Sequence, residues 1–139
     1  MRYLGIDLGS SRTGLALSDA LGVICTPLTT LAEKDEQRLM SRIVAVVQEQ
    51  NVETIVVGIP RPLSGGSNRQ LESVLSFMGR LENEVDVPVH GWDERFTSKL
   101  AERGRSRKVA QDAVAACYML QSFLDSGADF TGDGQADDR

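Results

Sequence analysis

Apolar positions first gather between Arg2 and Asp7, where Tyr3, Leu4 and Ile6 make a short run that predicts a buried strand. A Gly9-Ser10-Ser11-Arg12 turn leads into Thr13 to Ser18, whose alternation predicts a second strand returning as a hairpin. Asp19 to Gly22 reads as another turn, and Val23 to Pro27 as a third short strand. Polar Glu33 to Gln37 opens a helix with the stripe Leu39, Met40, Ile43, Val44, Val46 and Val47, its acids at the end where the helix dipole favours them. Glu53 to Gly58 carries a continuous Ile-Val-Val and predicts a fourth strand covered on both faces. The loop from Ile59 to Asn68, rich in Pro, Gly and Ser, precedes a helix with Leu71, Val74, Leu75, Met78 and Leu81 on one side. Val85 to His90 predicts a fifth strand. After Trp92-Asp93-Glu94-Arg95 come a short basic helical stretch and a final helix over about Arg107 to Asp125.

A three-strand meander followed by α, β, α, β and closing helices is an α/β order rather than a bundle or a sandwich. The first, fourth and fifth strands should run parallel, joined by helical crossovers. Residues 1–125 are expected to form one domain. The tail from Ser126 to Arg139 is rich in Gly and Asp with Phe130 its one aromatic, too little to bury, and is expected to be disordered.

Composition changes this picture little: 139 residues, 41% apolar and 25% charged, are ordinary for a globular chain that folds without disulfides or a structural metal. No apolar run approaches the ~20 residues of a membrane helix, and the N-terminus enters a strand pattern without a signal-peptide core, so a cytoplasmic location is expected. Cys25 and Cys117 lack any CxxC spacing and read as buried thiols in a reducing compartment. Charge is more informative. The net charge of −5 hides a basic stripe in which Arg95, Lys99, Arg103, Arg105, Arg107 and Lys108 meet Glu102 as their only acid, while Asp125 to Arg139 holds five aspartates and one arginine. Such a stripe either grips phosphates or is a solvated helix face.

The candidate chemistry lies in the carboxylates. Asp7 ends the first strand, at the sheet edge where open α/β sheets bind ligands. It is placed either for metal or phosphate chemistry or as a cap of the next turn. Asp93 and Glu94 follow the fifth strand, two strand spacings from Asp7, about 9–10 Å at the backbone. They suit ion binding, or a solvated loop with an internal Arg95 pair. Asp112 heads the apolar face made by Ala115, Ala116, Met119, Leu120 and Phe123. A carboxylate entering a core costs several kcal/mol unless a metal, a cation or a proton compensates it. Ser106 is a better helix N-cap than Asp112. Acids without a Cys/His cluster suit hard cations, Mg²⁺ or Mn²⁺. His90, the single histidine, reads as packing, and the Gly58 to Gly66 loop lacks the Lys and spacing of a P-loop.

Gly5-Ile6-Asp7-Leu8-Gly9, Arg12-Thr13-Gly14 with Ser18-Asp19, Val56-Val57-Gly58-Ile59-Pro60, Trp92-Asp93-Glu94-Arg95-Phe96-Thr97 and Asp112 to Leu124 together resemble the YqgF/RuvX family, in order over about residues 2–125. That family is described as Holliday junction resolvase or pre-16S rRNA nuclease. Thr97 to Asp112 is shorter than usual for it, and Ser98 stands where a second Thr is common. The resemblance implies a ribonuclease H-like three-layer fold, with a mixed five-stranded sheet and a divalent-metal site. By position it implies Asp7, Glu94 and Asp112 as the catalytic acids, with Asp93 as a further metal ligand beside Glu94. It implies a metal-dependent endonuclease for structured nucleic acid, pre-rRNA before branched DNA, with pre-ribosomal particles as partners and no membrane, as monomer or homodimer. Arg95 would neutralise phosphate charge, and Arg12, Lys99, Arg103, Arg105, Arg107 and Lys108 would hold backbone phosphates. A non-catalytic nucleic-acid-binding module is the alternative. An actin-like phosphotransferase is not expected, because such enzymes need a second lobe that 139 residues do not provide.

Overall fold

A computed structural model describes residues 1–96 and 111–127. The strands are β1 (Tyr3–Asp7), β2 (Thr13–Ser18), β3 (Cys25–Leu31), β4 (Thr54–Ile59) and β5 (Val89–Asp93). The helices are α1 (Glu36–Glu49), α2 (Arg69–Glu84) and α3 (Gln111–Asp125), with a 3-10 turn at Glu94–Phe96. One five-stranded sheet has the order β3-β2-β1-β4-β5. The pairs β1–β2 and β2–β3 are antiparallel, whereas β1–β4 and β4–β5 are parallel. This is the expected mixed sheet, a meander joined to a parallel half.

Alternation along the strands divides the interior into two cores. Leu4, Ile6, Leu15, Ile55, Val57 and Val89 face α1 and α2, meeting Leu39, Met40, Ile43, Val74, Phe77 and Leu81. Ala16 and Val56 face the other way and meet Ala116, Met119, Leu120 and Phe123 of α3. The result is three layers with the sheet in the middle. Asp35 caps α1 by accepting from the Arg38 N–H at 3.0 Å, and Asn68 caps α2 from the Leu71 N–H at 2.8 Å, each satisfying an amide that has no partner within its helix.

Three expectations shift. β3 begins at Cys25 rather than Val23, because the Asp19 side chain accepts the N–H groups of Val23 and Ile24 and holds both in a turn. β3 then continues to Leu31, with Pro27 beside a register irregularity where an edge strand tolerates a missing donor. β5 begins at Val89 rather than Val85, since Val85 caps α2 and Asp93 is still in the strand. In α2 Phe77 joins Leu71, Val74 and Leu81 among the buried side chains, while Leu75 is exposed. The expected start of the last helix at Arg107, its Ser106 cap and the tail beyond Gly127 lie outside the described residues.

Helix α3 lies on β1, β2 and β3 at the distance of backbone contact. A Cβ at Gly5 would come within 2.8 Å of the Leu120 Cβ, and one at Gly14 would collide with the Asp112 carbonyl and approach the Ala113 nitrogen to 2.8 Å. Phe123 anchors the helix between the rings of Tyr3 and Trp92, at 5.6 and 5.7 Å, both edge to face.

Gly14→Ala should therefore destabilise the protein by about 2 kcal/mol or more, since the obstruction is backbone that cannot turn away. Gly79→Ala, in the exposed interior of α2 with open space around it, should stabilise by about 1 kcal/mol. Urea denaturation of the two variants, read as shifts in midpoint at constant slope, checks both signs.

Candidate active site

The carboxyl edge of β1 sets the site. Asp7 is the last residue of β1, paired with Gly14 on β2; the parallel register Ile6–Val57 puts Gly58 of β4 at the same level on its other side. Asp7 thus sits between two glycines, in a row that crosses the sheet just where α3 begins. Each glycine makes room for another acid. Gly14 lies under the Asp112 backbone, and Gly58 lies under Glu94, whose carboxylate a Cβ would strike, approaching its Cδ to 3.1 Å. The three acids expected from the sequence come from three elements onto one end of one sheet face.

Their present partners differ. Asp112, with its side chain one-third exposed, pairs with Arg12 at 3.2 Å across the β1–β2 turn. The compensating cation that its position at the head of an apolar stripe demanded is therefore an arginine of the same chain. Backbone holds Asp112 in place as well, since the Ala113 N–H donates to Thr30 Oγ1 at 3.1 Å and ties the helix to β3. Among the described residues, no three His, Cys, Asp or Glu side chains already converge as an ion-binding group. The all-oxygen donor set of Asp7, Glu94 and Asp112 nevertheless has the chemistry of a hard-cation site, with side-chain-free floor at Gly14 and Gly58.

Asp93 is engaged elsewhere. It accepts from the Arg95 Nη2 at 2.7 Å, from Arg95 Nε at 3.1 Å and from the Arg95 backbone N–H at 2.9 Å, with Arg61 Nε at 3.7 Å. Burial raises its pKa, but the Arg95 hydrogen bonds and the two guanidinium charges outweigh burial and hold it below the ordinary aspartate value. Arg95 is held by the same contacts at the rim, and Arg61 joins a cluster that nothing in the sequence pattern marked. His90 is buried in β5 beside Val56. Burial lowers its pKa and the charge of Glu82 partly offsets this, as suits a packed, neutral imidazole. Lys99, Arg103, Arg105, Arg107 and Lys108, the basic stripe, lie outside the described residues. On the opposite face of the sheet a groove of about 580 Å³ opens beside Leu8, Gly9 and Ser10, with Lys34 and Arg69 at its mouth and Leu39 and Phe77 in its floor.

The chain is similar to known proteins along most of its length. The family model described as RuvX, Holliday junction resolvase, matches residues 1–126. A protein of Desulforamulus reducens named "Putative pre-16S rRNA nuclease" is 36% identical over 137 residues, 92% of this chain and 99% of that protein. Relatives of the same name in Clostridium kluyveri and Syntrophus aciditrophicus are 37% and 40% identical over 90% and 91% of this chain, and 97% and 89% of their own lengths. Among solved structures, Thermus thermophilus RuvC in complex with Holliday junction substrate superimposes with a TM-score of 0.60 at 17% identity, over 91% of this chain and 96% of that one. The fowlpox virus resolvase complexed with Holliday junction DNA gives 0.58 at 10% identity, over 91% and 98%. At those identities the likeness is one of fold, the ribonuclease H-like arrangement of mixed sheet and flanking helices.

The Asp93 cluster generates a pH test. A carboxylate whose folded pKa is depressed contributes stability that is present above its unfolded value and lost as pH falls through the folded value. Asp93→Asn should cost about 1 kcal/mol at pH 7. The difference from wild type should close as the pH drops below the ordinary value of 3.8. Denaturant midpoints of the two proteins at pH 7, 5 and 3 measure this.

Proposed function

The chain belongs to the RuvX family, and from that premise we propose that it is a divalent-metal-dependent nuclease acting on structured nucleic acid, with the 5′ end of pre-16S rRNA as its substrate. The observation that carries this reading is the row Gly14–Asp7–Gly58, over which β1, the β5 end and the start of α3 contribute one acid each. Asp7, Glu94 and Asp112 would hold Mg²⁺ or Mn²⁺. When bound, such ions supply the Lewis-acid charge that activates water and offsets the negative charge of the departing oxygen.

The chain's own residues do the rest. Asp7 is fixed by strand pairing and Glu94 by its seat over Gly58, so two of the acids are preorganised by backbone. Asp112 is held by Arg12, whose guanidinium, half-exposed at the mouth of the site, would be available to a substrate phosphate if an ion compensated Asp112 in its place. Arg95, kept at the rim by Asp93, is a second fixed cation on the path of the strand. Asp93 serves this reading better as the holder of Arg95 than as a primary ligand. Beyond the described residues, Lys99, Arg103, Arg105, Arg107 and Lys108 precede α3 in sequence and would grip backbone phosphates without reading bases.

Purified protein with Mn²⁺ or Mg²⁺, offered precursor 16S rRNA and a four-way DNA junction in parallel, tests the reading. Cleavage of the RNA with the junction intact supports it, whereas cleavage of the junction alone turns the assignment to a resolvase, as the family description and the RuvC-like fold would accommodate. Asp7→Asn, Glu94→Gln and Asp112→Asn should each reduce cleavage by at least about 100-fold without unfolding the protein. Small, additive losses in the single and double variants would count against one catalytic unit.

A further inference from the structure

Cys25 and Cys117 stand 92 positions apart in sequence, and the fold brings their sulfurs to 3.2 Å. Cys25 opens the edge strand β3 and is buried, whereas Cys117 lies on α3, partly exposed, five residues after Asp112. Both are free thiols. The Cys117 sulfur also lies 3.3 Å from the Cys25 carbonyl oxygen. One turn further along the helix, Gln121 binds the same strand end twice: Oε1 accepts the Cys25 N–H at 2.9 Å, and Nε2 donates to the Val23 carbonyl at 2.9 Å. Strand and helix are thus fixed against each other where the sulfurs meet. Closing the gap to the ~2.05 Å of a disulfide takes roughly 1.2 Å of sulfur movement, within reach of side-chain rotation.

We propose that Cys25 and Cys117 form an oxidation site, at which a peroxide converts the two thiols into a reversible intramolecular disulfide joining β3 to α3. Nothing in the nuclease reading is needed for this. Cys117 gives up its thiol proton, its thiolate attacks one peroxide oxygen, the O–O bond breaks, and the departing hydroxide takes up that proton as water, leaving a sulfenic acid on Cys117. The Cys25 sulfur then attacks the Cys117 sulfur, the S–O bond breaks, and the Cys25 proton departs with the hydroxyl as a second water. Two thiols are oxidised and one hydrogen peroxide is reduced to two waters. The order follows from access, because the partly exposed residue, Cys117, meets the oxidant and the buried Cys25 resolves it. Charge distribution agrees. The Cys25 S–H donates to the Cys117 sulfur, which lowers the pKa of Cys117, while that bond and burial raise the pKa of Cys25.

The disulfide would close a long loop through β3, α1, β4, α2 and β5, the kind of link that removes most freedom from the unfolded chain. It would also fasten the helix whose first turn carries Asp112 to the strand whose Thr30 already holds it.

Full-length protein exposed to hydrogen peroxide and then digested without reductant should yield a peptide pair linked through Cys25 and Cys117. The intact mass should fall by two hydrogens, and dithiothreitol should restore it. The oxidised wild type should melt about 5 °C or more above the reduced form. This comparison needs no variant; Cys25→Ser and Cys117→Ser, where they fold, should each abolish the link and the melting shift. A sulfenic or sulfinic acid persisting on Cys117, a dimer joined through Cys117, or two unchanged thiols would each overturn the proposal.

Discussion

Helix α3 comes to backbone contact with this sheet only where the strands beneath it present no side chain. Gly5 and Gly14 meet that requirement, and the rest of the site depends on it. At Gly14 the approach is backbone to backbone, so the axis of the helix start is fixed by atoms that have no rotamers to exchange. The first turn of α3 carries Asp112, and Gly14 pairs with Asp7. One steric fact therefore sets the spacing of two acids drawn from opposite ends of the chain. Gly58 repeats the device on the other flank, with the Glu94 carboxylate filling the space that its missing side chain leaves.

A close-packed helix needs its polar groups answered. Thr30 takes the Ala113 amide, Gln121 takes the Cys25 amide and the Val23 carbonyl, and Arg12 takes the Asp112 carboxylate. Edge strand β3 is thus more than the end of the sheet: it supplies fastenings near both ends of α3. The Arg12–Asp112 pair keeps the helix start neutral while no other cation is present. Being partly exposed, it is worth little to stability, about 0–1 kcal/mol. A weak, solvated pair can exchange partners, which a buried, saturated one would resist.

Much of the fold was legible because its signals are local. The β2 boundaries follow from the alternation in Thr13 to Ser18, and α1 and α2 follow from their apolar stripes. The misplaced strand starts have local causes that hydrophobicity conceals. Val23 and Ile24 are apolar yet exposed, since the Asp19 carboxylate captures their amides in a turn. Val85 ends a helix instead of starting a strand. At the site, Asp112 announced itself by polarity at the head of an apolar face, but its Arg12 partner, 100 positions away, left no pattern. The same holds for Arg61 beside Asp93 and for the two cysteines, contacts that exist only once the sheet order is set.

The central claim is that Asp7, Glu94 and Asp112 act as one ion-binding unit, and paramagnetic broadening of backbone amide signals by Mn²⁺ tests it most directly. Substoichiometric Mn²⁺ should erase first the amide signals around Asp7, Gly14, Gly58, Glu94 and Ala113, and Asp7→Asn should abolish that pattern. Broadening centred on the aspartates between Asp125 and Asp138, or on Glu33 and Glu36, with the Gly14–Asp7–Gly58 row untouched, would contradict it.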